Sequence, residues 1–439
     1  MPDVTGLDSR PTFAIETHGC KLNQADSSVM ARDFVSAGYE MVEQDQPADV
    51  YVLNSCTVTH VADRKARHAL RAARRRNPQG TVVAAGCYPE RVPDELRGLD
   101  AVDLVVGNKE KESLVRQVTE WRGEPPVPCT TGSDSVPLSP RMLRTRASVK
   151  IQEGCDQVCA YCIVPKVRGR ERSIQPEVII DNISRFVGDG YREVVLTGTQ
   201  LGSYGFELPG MDLPALLGRI LCETGVERLR VSSLQPPDIT PELLELWSDS
   251  RLCPHFHLPL QSGSDSILER MRRRYTAAEY MAAVLSIRRS VSNASVTADV
   301  IVGFPGEGEG DFDQSFLLCE TIGFAALHVF PYSVRPGTSA AHFEDKVPSE
   351  VKSERVQRLM ELAKLQGRAF RSSLIGSVRP VLWEEGRESD GGTEWRGLTD
   401  NYIRVQALAL DDLTNTITPA RLIAQQGDLV HTQVLPIPN

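Results

Sequence analysis

The chain has 439 residues, 41% hydrophobic and 24% charged, with ten cysteines and a formal net charge of −9, so it is too long for one hydrophobic core and two or three domains are expected. It has no apolar run of the ~18 residues that span a membrane, and its start, Met1-Pro2-Asp3-Val4, carries no basic or apolar leader, so a cytoplasmic protein with no membrane partner is expected. Ten cysteines in such a chain argue against a disulfide scaffold and for metal or redox use, and the acidic total counts against nucleic acid unless the basic residues cluster.

From Thr12 the pattern alternates. Strands are expected at Thr12–Thr17, Asp49–Asn54, Thr81–Ala85 and Asp103–Val106, with helices at Gln24–Ala37, His60–Asn77 and Lys109–Trp121. This predicts an N-terminal open parallel α/β sheet over residues 1–122. Cys20, Cys56 and Cys87 each follow the end of one of the first three strands. In an open parallel sheet those ends converge on one crevice. Three thiols remote in sequence are therefore expected to be neighbours and to form a metal site, the alternative being three separate buried cysteines. Gly19 and Gly86, just ahead of two of them, allow close backbone approach. The second helix carries Arg64, Lys65, Arg67, Arg71, Arg74, Arg75 and Arg76 with no acid between them. Arg64, Arg67, Arg71 and Arg75 share one face, either a solvated face or a phosphate-binding one.

Residues 123–140 are rich in proline and read as a linker, with Cys129 given no role. Six further strands, at Ser148–Gln152, Glu193–Thr197, Arg228–Ser232, His255–Leu260, Val296–Val302 and Ala325–Pro331, alternate with helices and predict a partial or closed parallel barrel over 141–371. Directly after the first of these lies Cys155-x-x-x-Cys159-x-x-Cys162. Three such thiolates hold three irons of a cubane and leave the fourth open. Zinc would want a fourth ligand at matched spacing, and none is nearby. Tyr161 adds an aromatic face. Polar or glycine-rich loops follow the next four strands: Thr197-Gly198-Thr199-Gln200, Ser232-Ser233, Gln261-Ser262-Gly263 and Gly303-Phe304-Pro305-Gly306. They read as simple turns or as one shared ligand pocket. Arg168 and Arg170, and the run Arg270 to Arg274, add basic clusters; Cys222, Cys253 and Cys319 read as core. A charged amphipathic helix is expected over Glu354–Arg371. From residue 372 short β runs at Val378–Trp383, Trp395–Leu398, Tyr402–Leu408 and Leu429–Val434 predict a small β-barrel in which acids outnumber arginines, with Asp411–Gln426 irregular.

The motif Cys155, Cys159, Tyr161, Cys162 resembles the radical S-adenosylmethionine (SAM) signature. With Cys20, Cys56 and Cys87 ahead of it, the chain from about Thr12 to Leu435 resembles the methylthiotransferases. Gly19-Cys20-Lys21-Leu22-Asn23-Gln24, Asn54-Ser55-Cys56-Thr57-Val58-Thr59, Lys150-Ile151-Gln152-Glu153-Gly154-Cys155 and His257-Leu258-Pro259-Leu260-Gln261-Ser262-Gly263 are most similar to the branch acting on N6-threonylcarbamoyladenosine. The resemblance implies an α/β multidomain fold: the N-terminal sheet, a central radical SAM (β/α)6 partial barrel and a C-terminal TRAM barrel over 372–439. It implies two [4Fe–4S] clusters, an auxiliary one on Cys20, Cys56 and Cys87 and a SAM-binding one on Cys155, Cys159 and Cys162, with SAM as methyl donor and radical source. SAM contacts are expected at Tyr161, Thr197, Gly198, Gln200, Ser232, Gln261, Gly303 and Pro305. RNA contacts are expected at Arg64, Arg67, Arg71, Arg75, Arg168 and Arg170. The implied activity is transfer of a methylthio group to C2 of the modified adenosine beside the anticodon of tRNA. The alternatives are isopentenyladenosine in tRNA, an aspartate of a ribosomal protein, or a non-catalytic RNA-binding protein with structural metal. A monomer is expected, with an external electron donor and a sulfur source, and no catalytic residue beyond the cluster ligands is implied.

Overall fold

Five parallel strands form the first unit of the chain. They are β1 (Thr12–His18), β2 (Glu40–Met41), β3 (Val50–Ser55), β4 (Thr81–Gly86) and β5 (Leu104–Val106), in the order β2-β1-β3-β4-β5. The computed structural model describes residues 10–124 and 145–436, and its contacts divide the chain into two units, residues 1–142 with 163–170, and residues 143–162 with 171–439. The expected linker lies almost wholly outside the described residues, as does Cys129. Strands β3 and β4 are buried along their whole length, as a parallel sheet covered on both faces requires. One face packs Phe13, Val50, Val52 and Val83 against Phe34 of helix α1 (Lys21–Ser36) and Val118. The other packs Tyr51, Leu53 and Val82 against Ala66, Leu70 and Ala73 of helix α2 (His60–Arg76). The two-residue edge strand β2 was not expected, because so short a run has no period to read. The helix expected over Lys109–Trp121 splits into a 3₁₀ turn at Asn108–Ser113 and a helix at Leu114–Arg122.

Residues 163–170, expected within the central domain, belong by their contacts to this first unit. Ile163 and Val167 pack with Cys87, and Asn108 Nδ2 donates to the Val167 carbonyl at 2.6 Å.

In the second unit a strand β6 (Arg146–Lys150) is followed by a short antiparallel pair, β7 (Gln152–Glu153) and β8 (Arg172–Ser173). Then come β9 (Glu193–Thr197), β10 (Arg228–Val231), β11 (His255–His257), β12 (Ser295–Val302) and β13 (Ala326–Pro331). The parallel strands form two sheets of three, β10-β9-β6 and β11-β12-β13. Parallel bridges Leu229 to Leu252 and Ser233 to His257 join them. Six strands at the expected places thus make a partial barrel, and with the neighbouring helices they build the largest apolar core among the described residues.

After the helix Ser349–Ser373, strands β14 (Val378–Ser389), β15 (Gly392–Thr399), β16 (Arg404–Ala409), β17 (Ile417–Gln426) and β18 (Leu429–Val434) close a barrel in the order β14-β15-β16-β18-β17. This corrects the reading of Asp411–Gln426 as irregular: residues 417–426 are the strand that closes the barrel. Pro419 and the register shift between Leu422 and Ala424 interrupt its period. The barrel is anchored to the parallel strands through backbone carbonyls: Arg228 donates to Leu398 O and Thr399 O at 3.1 Å, and Arg230 to Asp400 O at 2.9 Å.

Candidate metal and cofactor sites

In the first unit the register pairs His18 with Ser55 and Ser55 with Gly86, so Cys20, Cys56 and Cys87 follow the ends of three adjacent strands. Cys20 caps α1, Cys56 N–H donates to His18 O at 2.7 Å, and Cys87 opens the short helix α3 (Cys87–Arg91). The turn before Cys87 depends on Gly86: its φ is +107°, and a Cβ there would stand 2.6 Å from Ser55 O. Burial, then the neighbouring Cys87 and Cys20 sulfurs, push the Cys56 thiol up to about 12. Cys56 therefore lies near both other sulfurs, and none of the three is in a disulfide. Such a group ionises readily only when a cation is bound.

Residues outside the cysteines brace the crevice. The Asn54 carboxamide donates to Asn23 O at 2.8 Å and Ser27 Oγ at 2.9 Å, and accepts from Asn23 Nδ2 at 3.1 Å. Buried Thr57 and Asp63 are both held by Arg91 at 2.8 Å. Asn108 Nδ2 lies 3.4 Å from Cys87 Sγ. Asn108 was missed in the sequence, since one asparagine in a polar stretch carries no pattern.

In the second unit Cys155, Cys159 and Cys162 occupy the loop after β7. Gly154, at φ +77°, starts it. The fully buried Gln152 ties it down: its Nε2 donates to Gly154 O at 2.9 Å, while its Oε1 accepts the Thr199 and Gln200 N–H groups, both at 2.9 Å. At the far side Ala160 N–H donates to Met271 O at 2.9 Å. Tyr161 packs edge-on to Phe304, 6.4 Å between centroids, and burial raises its hydroxyl well above the usual value. Burial also raises the Cys155 thiol, with the nearby Cys159 sulfur adding to it.

Among the described residues, the group of three histidine, cysteine or carboxylate side chains whose ligand atoms all lie within 4.8 Å of one another is His257, Asp299 and His328. A closed tetrahedral zinc site takes four protein ligands, one more than either cysteine triad supplies. Three thiols can ligate three irons of a cubane and leave the fourth open.

The expected SAM residues divide. Thr197, Gln200 and Ser232 are buried at the ends of β9 and β10, and Gln200 Oε1 accepts from Gln235 Nε2. Gln235 also donates to Gln157 Oε1 at 3.1 Å, linking the cysteine loop to these strand ends. Gly198 touches Gln152, where a Cβ would come within 3.0 Å of its carbonyl, and Gln261 turns the chain at φ +66°. Gly303 and Pro305 are tied into the wall instead. Gly303 N–H donates to Glu307 Oε1 at 2.9 Å and lies under Lys352, while Pro305 O accepts from Arg270 Nε at 2.8 Å.

His257, Asp299 and His328 carry no sequence signature, because they lie on three strands and only the register brings them together. Their side chains point away from the core valines of β12. Asp299 lies 3.3 Å from His257 Nε2 and 3.1 Å from His328 Nδ1. Burial opposes its ionisation, but the hydrogen bonds to the two imidazoles outweigh burial and keep its carboxyl well below the usual range.

Of the expected RNA-facing arginines, Arg64, Arg71, Arg75 and Arg170 are exposed, and Arg67 is half-buried and paired with Glu95 at 3.0 Å. Arg168 is a correction. It is buried, 3.2 Å from Asp26 Oδ2, which Lys111 Nζ also holds at 2.7 Å. A local run of arginines does not tell which one turns inward to meet a remote carboxylate. Among the described residues no helix is long and apolar enough to cross a membrane.

Residues 12–107 match the uncharacterized protein family UPF0004, and residues 149–319 the radical SAM superfamily. The chain is 37% identical to the threonylcarbamoyladenosine tRNA methylthiotransferase MtaB of Bacillus subtilis (strain 168), over 94% of each chain. It is 37% identical to the tRNA-2-methylthio-N(6)-dimethylallyladenosine synthase of Moorella thermoacetica, over 88% of this chain and 89% of that one. The solved radical SAM methyltransferase TsrM of Kitasatospora setae shares the fold, with a TM-score of 0.53 at 14% identity over 76% of this chain and 77% of its own.

Proposed function

The chain belongs to the radical SAM methylthiotransferases, and we propose that it transfers a methylthio group to C2 of N6-threonylcarbamoyladenosine beside the anticodon of tRNA. The observation that carries this reading is the match to the Bacillus relative along 94% of both chains, with both cysteine triads inside the matched regions. In this reading Cys20, Cys56 and Cys87 hold an auxiliary [4Fe–4S] cluster, and Cys155, Cys159 and Cys162 the cluster that binds SAM. When bound, these groups supply the sulfur, the methyl group and the radical that the transfer consumes.

The chain's own residues prepare for that chemistry. Gln152 and Gln235 fix the cysteine loop against the ends of β9 and β10. Asn23, Asn54 and Asn108 brace the first triad. Thr197, Gly198, Gln200, Ser232 and Gln261 remain the residues we assign to SAM, with Tyr161 as their aromatic wall. Gly303 and Pro305 support them from behind. The exposed Arg64, Arg71, Arg75 and Arg170 are assigned to tRNA phosphates, which carry most of the affinity in such complexes. An adenosine in a tRNA loop is already outside a duplex, so presenting it costs little unstacking.

Two measurements test the reading. Anaerobically reconstituted protein should hold about eight irons, falling to about four when Cys20, Cys56 and Cys87 are all changed to Ala. Incubated with SAM, sulfide, reductant and tRNA, it should yield the 2-methylthio derivative of threonylcarbamoyladenosine, read by nucleoside mass spectrometry. A methylthio group appearing on isopentenyladenosine instead would keep the chemistry and replace the substrate.

A further inference from the structure

We propose that Arg273 sets the reduction potential of the cluster that Cys155, Cys159 and Cys162 would hold, acting through the Cys159 sulfur. The inference rests on the reading of that triad as cluster ligands.

Arg270, Arg272, Arg273 and Arg274 form a short basic run whose members point to different ends. Arg272 and Arg274 are exposed. Arg270 pairs with Asp345 at 2.8 Å. Arg273 is turned inward at a tight bend, where Arg272 has φ +59° and Arg273 N–H donates to Leu268 O at 2.8 Å. Its Nη1 lies 3.4 Å from Cys159 Sγ, its Nη2 donates to Gln235 Oε1 at 3.1 Å, and its Nε donates to Tyr275 Oη at 3.1 Å. The guanidinium also stands 4.8 Å from the Tyr275 ring centre. Tyr275 is itself fixed by donation to Pro259 O at 2.8 Å.

None of those partners is a carboxylate. A guanidinium drawn out of water beside neutral groups is costly unless an anion completes its shell. The Asp238 carboxylate, which accepts from Gln235 N–H at 2.7 Å, attracts it from nearby, while the ligand atom that the guanidinium itself touches is the Cys159 sulfur. A guanidinium N–H set against a ligand sulfur is a contact that a metal-bound thiolate would strengthen, which is the structural fit between these residues and a cluster.

The consequence for redox chemistry follows from charge. Reduction adds one electron and makes the cluster and its thiolates more negative. A fixed cation hydrogen-bonded to a ligand sulfur stabilises that state more than the oxidised one, and hydrogen bonds to the sulfurs are a known lever on such potentials. Gln235 and Tyr275 hold the guanidinium in place, and Gln235 connects it through Gln157 to the cysteine loop itself. Arg273 is thus a positioning residue.

The test uses full-length protein in which Cys20, Cys56 and Cys87 are Ala, so that one cluster reports. Its midpoint potential is measured by redox titration and electron paramagnetic resonance in the absence of SAM, so that any contact of the guanidinium with SAM plays no part. Arg273→Gln should lower the potential by at least a tenfold shift in the reduction equilibrium, which is 59 mV for one electron. Arg273→Lys should retain most of it. Arg273→His is the second variant, for the case that Gln fails to hold iron. Its potential should be higher at pH 6 than at pH 8 by more than that of the Arg273 parent. An unmoved potential in the Gln variant, or a His variant tracking the parent at both pH values, overturns the inference and leaves the function intact. Failure of the Arg273 parent to hold about four irons overturns both.

Discussion

Arg230 and Glu193 form a bidentate ion pair that is entirely withdrawn from solvent, Nε to Oε1 at 2.8 Å and Nη2 to Oε2 at 3.2 Å. Arg228 shares the same carboxylate at 2.6 Å, and both arginines also reach carbonyls of the C-terminal barrel. One carboxylate therefore organises the seam between the parallel strands and that barrel.

Burial alone would raise the Glu193 carboxyl, but Arg230 and Arg228 outweigh it and hold it at about 2, against an ordinary 4.5. A depressed carboxylate contributes stability that is fully present above the ordinary value and is lost as pH falls toward the folded one. The parent protein should lose this contribution between about pH 4.5 and about pH 2, and Glu193→Gln should lose none of it there. At neutral pH the Gln variant leaves two buried guanidiniums without their anion and should be less stable by ~3–5 kcal/mol in urea unfolding.

Tyr402 stacks on His255 across the same seam, with ring centroids 4.3 Å apart and planes 8° from parallel, and does so from a left-handed backbone at φ +71°. Tyr402→Ala should cost ~1–2 kcal/mol through lost stacking and cation–π contact with Arg230. Tyr402→Gly should be the milder change by about 1 kcal/mol, because glycine takes that backbone freely. Thermal unfolding of the two variants checks the order.

Gly86→Ala should specifically disable the first triad. The added Cβ would press on Ser55 O at 2.6 Å from a backbone at φ +107°, so the turn carrying Cys87 must shift at a cost of ~1–3 kcal/mol. In a background with Cys155, Cys159 and Cys162 changed to Ala, iron per chain should fall below the about four expected of the Gly86 parent.

Arg64, Arg71 and Arg75 stand exposed along α2, whereas Arg67 and Arg74 are held by Glu95 and Asp103. Changing Arg64, Arg71 and Arg75 to Gln should weaken tRNA binding and reduce the slope of log affinity against log salt by roughly 2–3. Changing Arg168 should leave that slope unmoved and lower stability instead, since its charge is spent on Asp26. Fluorescence anisotropy over a salt series separates the two effects.

Much of this architecture was readable from the chain alone. Alternation of strand and helix placed Cys20, Cys56 and Cys87 at the ends of adjacent strands, and the spacing of Cys155, Cys159 and Cys162 defined a second triad, because periodicity and ligand spacing are local properties. Tertiary structure decided the rest. Which arginine turns inward, Arg168 onto Asp26 or Arg273 onto Cys159, depends on partners far along the sequence. So does the register that sets His257 and His328 about Asp299, and so does the strand Ile417–Gln426, whose broken period becomes intelligible only between its two antiparallel neighbours. Spacing fixes what a chain can ligate; the burial of a charge or the closing of a barrel is settled by non-local packing, where desolvation must be met by a partner that no local window contains.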